Sequence, residues 1–163
     1  TPLLHGLGGF FINIKLFNKL IATGESNPGH ADANKTTALM KVCSRYTSEL
    51  ALAINTGQSN PGQINILSDS ALMRACNFRA SEVALALIGL EDVDLGHCDI
   101  FSNTPLIYAC RNNMTDVALA LITSGKSNLT HCNKNGFTAL TYADQNNMTD
   151  VSDLIRLYIK NTQ

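Results

Sequence analysis

Apolar and polar positions along this chain recur in blocks, each holding two short helical signals and then a polar connector. The clearest block runs from Thr104 to Gly136 and reads TPLIYACRNNMTDVALALITSGKSNLTHCNKNG. Thr104 is a good N-cap, and Pro105 can take the first helical position without losing a bonded N–H. Leu106, Ala109 and Cys110 follow at helical spacing, so a first helix is predicted here. Asn112-Asn113 makes a turn, and Thr115-Asp116 supplies a second cap with an acid in the first turn. Val117 to Ile122 then predicts an apolar second helix, antiparallel to the first and closed by Gly125. Beyond Gly125 the chain is turn-rich through Asn133, Asn135 and Gly136, and Thr138 restarts the pattern.

Shifted copies of this block account for most of the chain. Thr37-Ala38-Leu39-Met40, Ser70-Ala71-Leu72-Met73, Thr104-Pro105-Leu106-Ile107 and Thr138-Ala139-Leu140-Thr141 start at intervals of 33, 34 and 34 residues. A fixed period of that size predicts a solenoid of stacked helix pairs. Second-helix openings keep the same register at Glu49-Leu50-Ala51, Glu82-Val83-Ala84, Asp116-Val117-Ala118 and Asp150-Val151-Ser152. Thr1-Pro2-Leu3-Leu4 lies 36 residues before Thr37, which places an insertion within Gly8-Gly9-Phe10-Phe11. The expected organisation is a single all-α domain over 1–163 with five units, 1–36, 37–69, 70–103, 104–137 and 138–163, joined by short hairpin connectors.

These motifs resemble the ankyrin repeat family over essentially the whole chain. The matching features are Thr-Pro-Leu at Thr1 and Thr104, with Thr-Ala-Leu or Ser-Ala-Leu elsewhere, and the acid-Val-Ala opening of the second helix. Gly24, Gly57 and Gly125 match as helix enders, and Asp32, Asn65, Asp99 and Asn133 match as the Asp/Asn five residues before each start. Departures are also visible. The His that usually follows Thr-Pro-Leu is replaced by Leu4, Met40, Met73, Ile107 and Thr141, so its hydrogen bonds between neighbouring units must be missing or replaced. Glu91 stands at a helix-ending Gly position, and the second helix of unit 37–69 is one residue short. Asn-rich composition and the phrases VALALI and SNPG look similar to ankyrin proteins of giant DNA viruses. What the resemblance implies is an ankyrin solenoid acting as a non-enzymatic module that binds a protein partner.

Composition narrows the alternatives. With a net charge of -1 and twelve scattered Lys and Arg, the chain carries no basic footprint for nucleic acid. Phe10 to Leu20 is broken by Asn13, Lys15 and Asn18, and no apolar run is long enough to span a bilayer. A chain that starts without Met at the first residue of a repeat is expected to be a trimmed piece of something longer. Cys43, Cys76 and Cys110 form one first-helix column and pack as small hydrophobes, while Cys98 and Cys132 share a connector position. Neighbouring units about 8–10 Å apart are too distant for disulfides, which predicts five free thiols and a cytoplasmic, reducing location. His30, His97 and His131 form a column with Gln63. A column spreads its members along the stack, so cross-connector hydrogen bonds are expected and no metal. The four Asn-x-Ser/Thr sequons, at Asn34, Asn113, Asn128 and Asn147, follow from the Asn/Thr-rich repeat. No nucleophile elbow, phosphate loop or zinc helix motif is present, and no cofactor is expected; Gly6-Leu7-Gly8-Gly9 lacks the Lys and preceding strand of a phosphate loop.

Function is therefore sought on the surface. By family register, partners meet the connector tips and the exposed side of the first helices. At those positions stand Ile66, Leu67, Ile100 and Phe101, with Phe137 just before a start and Arg45, Asn77, Phe78, Arg111 and Asn112 late in the first helices. Tips are normally polar, so one continuous apolar patch is expected there, with Phe78, Phe101 and Phe137 as anchors and the Arg and Asn side chains setting polar register. The competing reading is that these side chains fold back and brace the hairpins. A second stripe, Leu52, Leu85 and Leu119, is expected to turn inward on a rotated helix; self-association through the convex face is the alternative. The last helix, with Asp153, Arg156 and Lys160, looks like a cap. The first unit, with Phe10, Phe11 and Phe17, looks uncovered and suited to association. Alternatives to a simple binding module are a structural component of a larger viral assembly and an adaptor that recruits host proteins through a further domain.

Overall fold

The first helices begin where a Ser or Thr side chain catches the backbone three residues on. Thr37, Ser70, Thr104 and Thr138 accept from the N–H of Met40, Met73, Ile107 and Thr141 at 3.3, 3.2, 3.2 and 3.1 Å. Each bond satisfies one of the donors that a helix start leaves orphaned. The computed structural model of the chain describes residues 30–43 and 59–161. Within them lie seven helices: α1 (Ala38–Cys43), α2 (Ala71–Asn77), α3 (Ser81–Ile88), α4 (Pro105–Arg111), α5 (Thr115–Thr123), α6 (Ala139–Gln145) and α7 (Thr149–Asn161). The expectations for Phe10, Phe11 and Phe17, Gly24, Arg45, Leu52, Gly57 and the shortened helix of unit 37–69 lie outside the described residues.

First helices pack on first helices, α1 on α2, α2 on α4 and α4 on α6, while α3, α5 and α7 form a second layer behind them. The result is the all-α solenoid that the period predicts. Its core is a run of repeating positions. Leu39, Leu72 and Leu106 are fully buried, as are Met40, Met73 and Ile107, and Leu87, Leu121 and Ile155 meet them from the second layer. Each such side chain contributes about 1.5–3 kcal/mol by leaving water. Met40, Met73 and Ile107 occupy the register of the absent His, so that column is apolar filling. In the last unit Thr141 holds this place and completes a capping box, its Oγ1 accepting from Thr138 N at 3.3 Å.

Two local expectations are corrected. Thr115 does not cap α5: the N-cap position is Met114, without a side-chain bond, and Thr115 is already helical. Met114 and Met148 are buried, and Ala80 packs against the core at the same register, so the site demands an apolar residue. Glu82, Asp116 and Asp150 in the first turns supply the favourable charge instead. Nor is the second helix rotated. Val83, Ala84 and Leu87 face inward at 1%, 0% and 0% exposure, whereas Leu85 is 40% exposed. One residue beyond Ala84 is about 100° around the helix, which carries Leu85 out of the core. Leu119 in α5 is half-buried against it.

All five cysteines are free, and the expected columns separate by burial: Cys43, Cys76 and Cys110 lie inside, Cys132 is exposed and Cys98 is intermediate. Burial pushes the thiols of Cys43 and Cys110 up to about 12 and raises Cys76 likewise. Unfolded thiols ionise near 9, so the unfolded chain releases protons first as pH rises. The stability from keeping these thiols neutral is complete below pH 9 and is lost progressively between 9 and about 12. A thiol reagent at pH 8 should therefore modify Cys132, then Cys98, and leave three thiols until denaturant is added. Fast modification of a third thiol in the native chain would contradict this packing.

Candidate functional site

The connectors fold into fingers by one device used four times. Asp32, Asn65, Asp99 and Asn133 each turn Oδ1 onto the N–H groups two and four residues ahead, at 2.8–3.0 Å. Their own N–H groups donate to the carbonyls of Thr36, Asp69, Asn103 and Phe137, closing each finger at its base. The turn requires a left-handed residue, met by Lys35, Ser68, Ser102 and Gly136 with φ of 57°, 55°, 60° and 78°. Successive tips are then bonded to each other: Ile66 N donates to Asn34 O, Ile100 N to Leu67 O and Lys134 N to Phe101 O.

This ladder brings Ile66 and Leu67 beside Ile100 and Phe101. They remain exposed, at 58% and 47% for the first pair and 40% and 58% for the second. Backbone hydrogen bonds tie each tip to the next. Phe137 lies at the base of the last finger, 37% exposed, its ring 5.4 Å from that of Tyr142. Phe78 is separated from the tips. It ends α2, and the seven residues of that helix put about 10 Å between it and the finger base. The expected single patch is thus a tip ridge with Phe78 standing apart at the far end of the first-helix face.

Asn112 turns its amide onto the neighbouring unit. Its Nδ2 donates to Cys76 O at 2.9 Å and Asn77 O at 3.1 Å, at the end of α2. Asn146 does the same for Cys110 and Arg111 at 2.8 and 3.2 Å. These bonds, with the tip ladder, tie neighbouring units in place of the missing His. The histidine column adds a further tie, His97 Nε2 lying 3.1 Å from Ser68 O and His131 Nε2 3.1 Å from Ser102 O. Gln63 stays within its own finger, bonding Asn60 and Ile64. Phe78 holds the register of Asn112 and Asn146 and offers no donor.

Between fingers and first helices lies a cleft of about 290 Å³ lined by Phe101, Asn103, Tyr108, Arg111, Asn133, Lys134, Asn135 and Tyr142. Tyr108 and Tyr142 occupy the register that Lys41 and Arg74 hold in earlier units. There Lys41 pairs with Asp32 and Arg74 with Asp69. Here Tyr108 OH donates to Asp99 Oδ2 at 2.6 Å, and Asn133 Nδ2 lies 3.4 Å from Tyr142 OH. Burial, and then the bond to Asp99, push the Tyr108 phenol well above its ordinary range, so it stays a neutral donor. Arg111 lies across that ring, Cζ 4.6 Å from its centroid, and Nη2 donates to Asn77 Oδ1 at 2.7 Å. The tyrosines and Lys134 escape the register argument because they gain a role only where a finger folds over a first helix.

Among the described residues no three His, Cys, Asp or Glu side chains group to hold a metal ion, and no helix is long and apolar enough to cross a membrane. No curated protein matches the chain, which leaves the giant-virus likeness resting on composition and phrases alone. Residues 72–162 match the family of ankyrin repeats in three copies, a family that generally serves as protein–protein interaction modules and is typically non-enzymatic. That match spans more than half of the 163 residues, with the fingers of Asp99 and Asn133 and nearly all of α2 to α7 inside it, and the chain belongs to the ankyrin repeat family.

Proposed function

We propose that this chain is a non-enzymatic binding module that engages a protein partner through the tip ridge and the adjoining first-helix face. The observation that carries the reading is the exposure of Ile66, Leu67, Ile100 and Phe101 on two bonded, adjacent tips. A finger needs only its Asp or Asn and a left-handed residue, so large apolar side chains at its tip serve no folding purpose. Contiguous exposed apolar surface of this kind marks interaction sites. Phe101 and Phe137 act as anchors with Asn77 and Arg111 at the polar margin; Phe78 extends the face at its far end, and Arg45 holds the register of Phe78 and Asn112. Five free cysteines suit a reducing compartment, which favours the cytoplasm.

The test is a capture experiment with the intact chain beside Ile100→Ser/Phe101→Ser. Both side chains are exposed, so the variant should unfold within about 0.5 kcal/mol of the parent. Proteins held by the parent and released by the variant support the docking face. Identical capture by the two excludes the tips, and a large loss of stability would show that they brace the fold after all.

A further inference from the structure

The cleft beneath Phe101 brings two cations, Arg111 and Lys134, together in its lining. In the two preceding first helices and in the last helix, Lys41, Arg74 and Arg156 are paired with carboxylates of the chain. Lys41 Nζ lies 2.9 Å from Asp32 Oδ2, Arg74 Nε 2.8 Å from Asp69 Oδ2, and Arg156 Nη2 2.8 Å from Asp144 Oδ1. Arg111 and Lys134 are not. Among the described residues no carboxylate oxygen comes within 4.0 Å of either. Arg111 is held by neutral groups alone, the Asn77 amide oxygen and the Tyr108 ring, which orient the guanidinium without cancelling its charge.

None of the residues lining the cleft is acidic. The carboxyl that adjoins it, Asp99, is 8% exposed and fully engaged. Its Oδ1 accepts from Phe101 N and Asn103 N, and its Oδ2 from Tyr108 OH, with Asn103 Nδ2 at 3.5 Å. The cleft therefore offers two cations with no carboxylate oxygen within 4.0 Å, beside three aromatic rings and with the Asp99 carboxylate bonded to Tyr108, on a chain whose net charge is only -1. Attraction here is local to the site and is not a general pull on anions.

We infer that this cleft takes a short stretch of a partner protein that carries an Asp or Glu carboxylate next to an apolar side chain. The carboxylate lies between Arg111 and Lys134, and the apolar side chain packs on Phe101, Tyr108 and Tyr142. Stacking and the Asn77 bond hold the Arg111 fork in place, so less rotamer freedom is lost when a carboxylate docks on its free edge. A volume of about 290 Å³ accommodates side chains, not a folded protrusion. This inference rests on the docking reading above and adds to it the chemistry of the partner.

The test uses three labelled synthetic peptides of one length in a Gly-Ser frame, alternating Phe with Asp, with Asn or with Lys, titrated by fluorescence anisotropy against the full chain. The Asp peptide is expected to bind at least about tenfold tighter than the Asn peptide, equivalent to about 1.4 kcal/mol, and to weaken with added salt, while the Lys peptide fails. In Arg111→Glu/Lys134→Glu, checked for unchanged helicity and melting, the preference should reverse toward the Lys peptide, which a merely structural role would not produce. Equal binding of the Asp and Asn peptides, no binding of the Asp peptide, or an unreversed preference in the charge-swapped variant overturns the inference while leaving the docking face standing. Asp-peptide binding that survives both the charge swap and Ile100→Ser/Phe101→Ser removes the inference and the docking face together.

Discussion

Replacing Asp99 with Ala is expected to cost about 3 kcal/mol of stability, or a melting temperature lower by roughly 6–12 °C for a chain of this size. One carboxyl holds the finger closed through the N–H groups of Phe101 and Asn103 and accepts the Tyr108 hydroxyl at 2.6 Å. All of this happens at a residue only 8% exposed. Truncation leaves a buried phenol and two amide donors without an acceptor, and donors cut off from water lose more than the bond itself was worth. The chain supplies its own control. Asn65 and Asn133 make the same two Oδ1 bonds in sister fingers, and Asn133 faces Tyr142 as Asp99 faces Tyr108. Asp99→Asn should therefore cost less than about 1 kcal/mol, since a hydrogen bond exchanged for another is nearly neutral. Urea unfolding of the two variants decides it. A loss below about 1 kcal/mol for Ala would mean that water replaces the carboxyl and that the finger does not depend on it.

The second large effect is expected from Gly62→Ala, about 2–3 kcal/mol. A Cβ built on Gly62 would stand 2.1 Å from the carbonyl oxygen of Asp92 and 3.2 Å from its carbon. Both are backbone atoms, so no side chain can swing aside; the two connectors must part. Gly96 meets Lys126 O at the equivalent place one unit on, but at 3.1 Å, which a shift of a few tenths of an ångström relieves. Gly96→Ala should accordingly cost about 1 kcal/mol or less. Thermal melts of the two variants side by side test the gradation. Equal costs would show that close approach of the connectors is not what these glycines provide.

Much of this architecture was readable in advance because it is local and repeated. The helix starts at Ser70, Thr104 and Thr138 depend on a hydroxyl three residues from the N–H it accepts. The fingers depend on an Asp or Asn and two N–H groups within four residues. Hydrogen-bond geometry sets those offsets, and copies at a constant period made each one visible several times. The tip side chains were legible for the same reason, since an apolar residue where a turn wants a polar one stands out against its own repeats.

Other features are invisible along the chain because they join residues some thirty apart. Asn112 reads as an exposed polar residue late in a helix, and only stacking places Cys76 O at 2.9 Å from its amide. Tyr108 and Arg111 read as one more turn of α4 until Asp99 and Asn77 come to them from a finger and a neighbouring helix. Leu85 breaks a family register in the sequence without revealing which way it turns, and the fit of Val83, Ala84 and Leu87 against the first layer turned it outward. Backbone geometry within a few residues is a property of the chain itself. Which side chain is neutralised, which is left charged and which stays in solvent is a property of the interface between units, and the same residue types serve either outcome until the units are stacked.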